Sequence, residues 1–73
     1  MERNSLAQRI RAFRKLKGLT QLELSELLGV SIAILGSIER GTRIPDDKMI
    51  RKIAQVLNIE PRELLGADHY AKE

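Results

Sequence analysis

Seventy-three residues give room for one small core, so two independently folded domains are excluded. With 42% hydrophobic and 32% charged residues and no cysteine, the composition is that of a folded chain without disulfides or thiolate metal sites, and no apolar run approaches the ~18 residues of a membrane-spanning helix. Thirteen basic against ten acidic side chains give +3, but residues 1–45 carry eight and four while residues 46–73 carry five and six, so the positive field belongs to the front of the chain and suits a polyanion.

Apolar residues recur at steps of three and four and never alternate, which predicts five helices and no strand. Leu6, Ile10, Phe13 and Leu16 mark a first helix from about Ser5 to Lys17, stopped by Gly18 as a left-handed cap. Arg9, Arg11, Arg14, Lys15 and Lys17 crowd this segment; they fit either a nucleic-acid face or a merely solvated one. Thr20-Gln21-Leu22-Glu23 reads as a capping box, in which the Thr20 hydroxyl accepts from the Glu23 amide and the Glu23 carboxylate from the Thr20 amide. The second helix runs to Leu28 and ends at Gly29, a position of positive φ where a side chain would also collide. Ser31 caps a third helix that reaches about Arg40 before Gly41 closes it. After Thr42-Arg43-Ile44-Pro45, Asp46 or Asp47 opens a fourth helix with Ile50, Ile53, Ala54 and Leu57 on one face. Glu60 and Pro61 form an N-cap and first-position pair for a short last helix ending at Leu65-Gly66. Residues 67–73 lack periodicity and are expected to fray. The domain is therefore expected to occupy residues 1–66.

Gln21 to Arg40 is the informative stretch: a helix of about two turns, a short Gly-containing turn and a second helix make the layout of a helix-turn-helix. Leu24, Leu28, Val30, Leu35 and Ile38 should face inward, and Ser25 is small enough to let the two helices cross closely. With its strings Arg9-Ile10-Arg11, Lys17-Gly18-Leu19-Thr20-Gln21, Leu24-Ser25-Glu26, Leu28-Gly29-Val30-Ser31, Ile38-Glu39-Arg40-Gly41, Pro45 and Lys52-Ile53-Ala54, the chain resembles the Cro and phage-repressor type of helix-turn-helix, the XRE family, from Ser5 to Leu65. That resemblance implies an all-α, five-helix phage-repressor-like domain, usually a homodimer, that binds palindromic operators in double-stranded DNA and represses or otherwise regulates transcription. It also implies that Gln21 touches a phosphate and braces the third helix, and that Arg14 and Glu39 pair to join the first helix to the third. Arg40, Arg43 and Arg9 reach phosphates from the rim, or are simply solvated.

The chain departs from that family at the outward positions of the third helix. Polar side chains that bond to base edges are replaced by Ile32, Ala33, Ile34 and Gly36, leaving Ser31 as cap and Ser37 as the one hydrogen-bonding group among them. Gly36 sits inside a helix at a cost of about 1 kcal/mol relative to Ala, which points to close approach by a DNA strand, a neighbouring helix or another chain. Leu22 and Leu27 stand where charge is common in the family, so an apolar surface is expected unless Leu27 or Ile34 turns into the core. Two functions follow: a DNA-binding regulator reading DNA with residues 31–37, or a protein-interaction module of the same fold gripping a partner with its apolar third helix. No enzyme is expected, because no nucleophile lies beside a base and His69 and Tyr70 lie in the tail; no cofactor, metal or small-molecule ligand is expected either. The first residues carry no signal-peptide pattern, and the expected compartment is the cytoplasm. A dimer contact is expected after Pro45, among Met49, Val56, Ile59 and Leu64.

Overall fold

The computed structural model describes residues 2–66, with side chains from Ser5 onward. Five helices follow in order: α1 (Glu2–Leu16), α2 (Gln21–Leu28), α3 (Ile32–Arg40), α4 (Asp47–Leu57) and α5 (Pro61–Leu65). No strand occurs among the described residues. The first helix begins three residues earlier than periodicity indicates, because nothing between residues 2 and 5 breaks a helix even though no apolar position announces one. The expected frayed segment, residues 67–73, lies outside the described residues, as do His69 and Tyr70.

Local chemistry sets the boundaries of α2 to α5. Thr20 Oγ1 accepts from the Glu23 amide at 3.0 Å while the Glu23 carboxylate accepts from the Thr20 amide at 2.8 Å, which satisfies two otherwise orphaned donors. Ser31 and Asp46 cap α3 and α4 by accepting from the Ile34 and Met49 amides at 3.1 and 2.8 Å. At α5 the Glu63 carboxylate accepts from the Glu60 amide at 2.9 Å, ahead of Pro61 at the first helical position. Asn58 ends α4 at φ 60°, a left-handed conformation that Asn tolerates better than most side chains.

The turn between α2 and α3 redirects the chain by 110°, within the range of a helix-turn-helix. Gly29 makes it at φ 75°, donating to the Glu26 carbonyl, while the Val30 amide donates to the Ser25 carbonyl at 3.0 Å. A Cβ on Gly29 would meet only the Lys52 ammonium, at 4.0 Å; positive φ, and not the collision expected from sequence, is what calls for glycine.

The core gathers one stripe from each helix: Ile10 of α1, Leu24 and Leu28 of α2, Leu35 and Ile38 of α3, Ile50, Ile53, Ala54 and Leu57 of α4, and Leu64 of α5. Each large member contributes about 1.5–3 kcal/mol by leaving water. Val30 packs against this core only in part. Leu64, expected at a dimer contact, is fully buried within the chain and cannot take that role, whereas Met49, Val56 and Ile59 remain partly exposed.

Candidate nucleic-acid interface

The third helix is held from behind by polar contacts. Its Glu39 carboxylate lies 2% exposed, and its charge is matched by Arg14 of α1, whose Nε and Nη2 donate to the two carboxylate oxygens at 2.7 and 3.1 Å. Such a two-pronged geometry suits a guanidinium and fixes both position and orientation. Arg14 Nη1 donates to the Leu19 carbonyl at 2.9 Å, tying the α1–α2 loop to the same cation. Gln21 Nε2 at the start of α2 donates to Glu39 at 3.1 Å, and Arg11 Nη1 donates to the Glu39 main-chain carbonyl at 2.6 Å. Among the described residues, no buried side-chain nitrogen or oxygen lacks a partner.

These bonds reassign the basic cluster of α1. Arg11 and Arg14 work inside the fold, and the Arg9 guanidinium lies about 3 Å from where a Cβ on Gly66 would stand, against the end of α5. The rim phosphate contact expected of Arg9 therefore has no support from its position, and Lys15 and Lys17 are the exposed cations left in that run. Sequence spacing puts Arg11 and Arg14 three apart on one helical face, but which of five neighbouring cations turns inward is settled by Glu39, far along the chain.

At 100° per residue, Ile32, Ala33, Gly36, Ser37 and Arg40 share one side of α3, opposite Leu35 and Ile38. Ser31, Ile32 and Ala33 are exposed, Ile32 at 46%. Ile34 is turned partly into the core, so it does not present its side chain outward as the other positions do; Leu27 stays 54% exposed. The Ser37 hydroxyl donates to the Ala33 carbonyl at 3.0 Å, which leaves it an acceptor toward any outside group. Gly36, where the sequence points to close approach by a DNA strand, a neighbouring helix or another chain, is buried beneath this chain's own side chains, one of them from neighbouring α2: a Cβ there would lie 3.1 Å from Arg40 Nη1 and 3.9 Å from Gln21 Nε2.

Beyond α3, the Thr42 and Arg43 amides both donate to the Ser37 carbonyl, at 3.0 and 3.3 Å, and Thr42 Oγ1 donates to the same oxygen at 3.1 Å. Arg43 is thus held beside the C-terminal end of the helix, exposed, as is Arg40. Thr42 is a positioning residue that sequence reasoning missed, with only its place after Gly41 as a signal. The ammonium of Lys52 of α4 stands near the C-terminal end of α2, where the helix dipole favours a cation, and nothing local in the sequence reveals that placement. The outcome is a helix surface with little hydrogen-bonding chemistry of its own, flanked by two guanidinium groups and anchored by a buried ion pair.

The helix-turn-helix family model matches residues 10–64. The chain is 53% identical over 64 residues to the uncharacterized HTH-type transcriptional regulator YazB of Bacillus subtilis, covering 88% of this chain and 93% of that protein. Among solved structures it is similar to the restriction-modification controller protein C.AhdI of Aeromonas hydrophila, with a TM-score of 0.81, 42% identity, and coverage of 85% of this chain and 94% of the other. It is also similar to SinR, the master regulator for biofilm formation, in complex with DNA, with a TM-score of 0.78, 37% identity, and coverage of 84% and 98%. A recognition-type second helix with a cationic rim, the matched family and these relatives converge: the chain belongs to the helix-turn-helix family of transcriptional regulators with a DNA-binding fold.

Proposed function

We propose that the chain is a repressor that acts in the cytoplasm as a homodimer on a palindromic operator. Each protomer lays α3 in a major groove, with the two helices about 34 Å apart along the duplex. Gln21 and Arg43 face the DNA backbone, Arg40 lies at the edge of the groove, and Ser31, Ile32, Ala33 and Ser37 face the bases, with Ile34 and Gly36 contributing backbone shape. The observation that carries this reading is the outward side of α3, left uncovered by the rest of the fold and bordered by exposed Arg40 and Arg43. Ile32 and Ala33 suit thymine methyl groups. Repression then needs no further chemistry, since a protein seated over a promoter excludes polymerase. The test is selection of bound duplexes from a random pool at two salt concentrations. Enrichment of a palindrome, with affinity falling steeply as salt rises, supports the reading; no binding to any duplex at about 50 mM salt refutes it. Sedimentation checks the dimer, and a monomer at micromolar concentration on its own and on DNA refutes that part.

A second reading, a protein-interaction module, draws on Leu22, Leu27 and Ile32, which are 52%, 54% and 46% exposed. Ile32→Gln separates the two. It changes operator preference in a DNA reader and abolishes partner binding in an interaction module.

A further inference from the structure

Resting on the DNA-binding reading, we infer that Arg40 is the specificity-determining residue of α3, and that Gly36 is its seat. Ile32, Gly36 and Arg40 lie at i, i+4 and i+8 along one helical line. Arg40 is the last residue of the helix, about 6 Å along the axis beyond Gly36, and from there an extended side chain would reach the rim of the groove. Helical side chains lean back toward the N-terminus, and with no Cβ at position 36 that lean carries the guanidinium a full turn inward. Arg40 Nη1 lies 3.1 Å, and the guanidinium carbon 3.9 Å, from where the Cβ of residue 36 would be. The charged fork thus occupies the space of the missing side chain, near the middle of the outward face.

Two further observations assign it a reading role. The other residues of that face have no outward donor: Ile32 and Ala33 are apolar, and the Ser37 hydroxyl proton is committed to Ala33. The Arg40 side chain makes no hydrogen bond or ion pair with any described residue, so all five of its donors are available. The neighbouring Gln21 amide, 3.9 Å from the same Cβ position and fixed by Glu39, walls one side of the seat. A planar two-pronged donor held mid-helix in a major groove matches the O6 and N7 acceptors of guanine. The base-reading group absent from residues 32–37 is supplied by residue 40, through the gap left at residue 36.

The test measures binding of the wild type, Arg40→Lys and Gly36→Leu to the duplex selected above and to duplexes in which each G·C pair of a half-site is replaced by A·T, at one salt concentration. Circular dichroism confirms that each variant is folded. Replacing one G·C pair should weaken the wild type by roughly 5- to 150-fold. Arg40→Lys keeps the charge but loses the fork, and Gly36→Leu keeps the arginine but fills its seat; in both, that ratio should collapse toward one. Wild-type discrimination in either variant, or a wild type that binds a duplex without preferring any G·C pair, overturns the inference and leaves DNA binding intact. A wild type that binds no duplex overturns the DNA-binding reading itself.

Discussion

Replacing Arg14 by methionine removes three hydrogen bonds at once, two to the Glu39 carboxylate and one to the Leu19 carbonyl, from a side chain 10% exposed. The Glu39 carboxylate is then left with one bond, from Gln21, at a position 2% exposed. Stranding a buried charge in this way costs about 3–5 kcal/mol. A domain of this length has only about 4–11 kcal/mol to lose, at 0.05–0.15 kcal/mol per residue. Arg14→Met should therefore remove about a quarter or more of the stability, and each kcal/mol lowers the melting temperature by about 4–8 °C. Glu39→Leu should be milder, because Arg14 keeps the Leu19 carbonyl and can extend its long side chain toward water. The double variant pairs methionine with leucine and strands nothing, so it should be more stable than the sum of the single losses indicates by about 2–3 kcal/mol. With no Trp and a single Tyr in the chain, urea denaturation followed by far-UV circular dichroism is the suitable measurement. Additive losses, to within about 0.5 kcal/mol, would show that the two side chains do not act as a pair.

Gly36→Ala should stabilise the fold by about 1 kcal/mol, since the Cβ meets the far end of the Arg40 side chain, which can shift, and Gln21 Nε2 only at an ordinary 3.9 Å, while the helix gains a better former; a lower melting temperature would mean that Arg40 cannot give way. Thr20→Ala breaks half of the capping box and should cost about 1 kcal/mol in denaturation, with no loss contradicting the role of the cap. Arg43→Ala should weaken binding to all duplexes alike and reduce the slope of log affinity against log salt by about 0.9 per protomer; a sequence-dependent loss would place Arg43 on a base. Gln21→Glu sets a second carboxylate beside Glu39 and should destabilise by about 1–4 kcal/mol, so wild-type stability in that variant would rule out the observed Gln21–Glu39 contact.

The helix-turn-helix was legible in sequence because its signals are local. Thr20 with Glu23, Gly29, Ser31 and Gly41 each act within a few residues, and the apolar period locates Leu24, Leu28, Leu35 and Ile38 without knowledge of the fold. What could not be read depends on distant partners. Ile34 and Leu27 look alike in sequence, yet Ile34 packs against the core while Leu27 stays outside. Leu64 belongs to the core because α5 folds back on α1 and α4, which no periodicity in a five-residue helix can announce. Charged side chains were the least legible. A cation near other cations suggests a field directed outward, but Arg11 finds the end of α3 and Arg9 the end of α5.

That inward turn of charge has a consequence for recognition. The Glu39 carboxylate accepts from α1 through Arg14 and from the start of α2 through Gln21, and its carbonyl accepts from Arg11. The proposed phosphate contact at Gln21 and the reading surface of α3 are consequently coupled through a single buried carboxylate, with one hydrogen bond between them. A rotation of α3 sufficient to turn Gly36 and Arg40 together away from the groove would break bonds to a charged group, at about 1.5–3 kcal/mol each. On the proposed reading the outward side of α3 is plain, and its selectivity rests on how firmly the helix that carries Arg40 is seated through Glu39 against α1 and α2. Rigidity of the support, and not the number of polar side chains on the reading surface, sets how sharply such a domain can distinguish one operator from another.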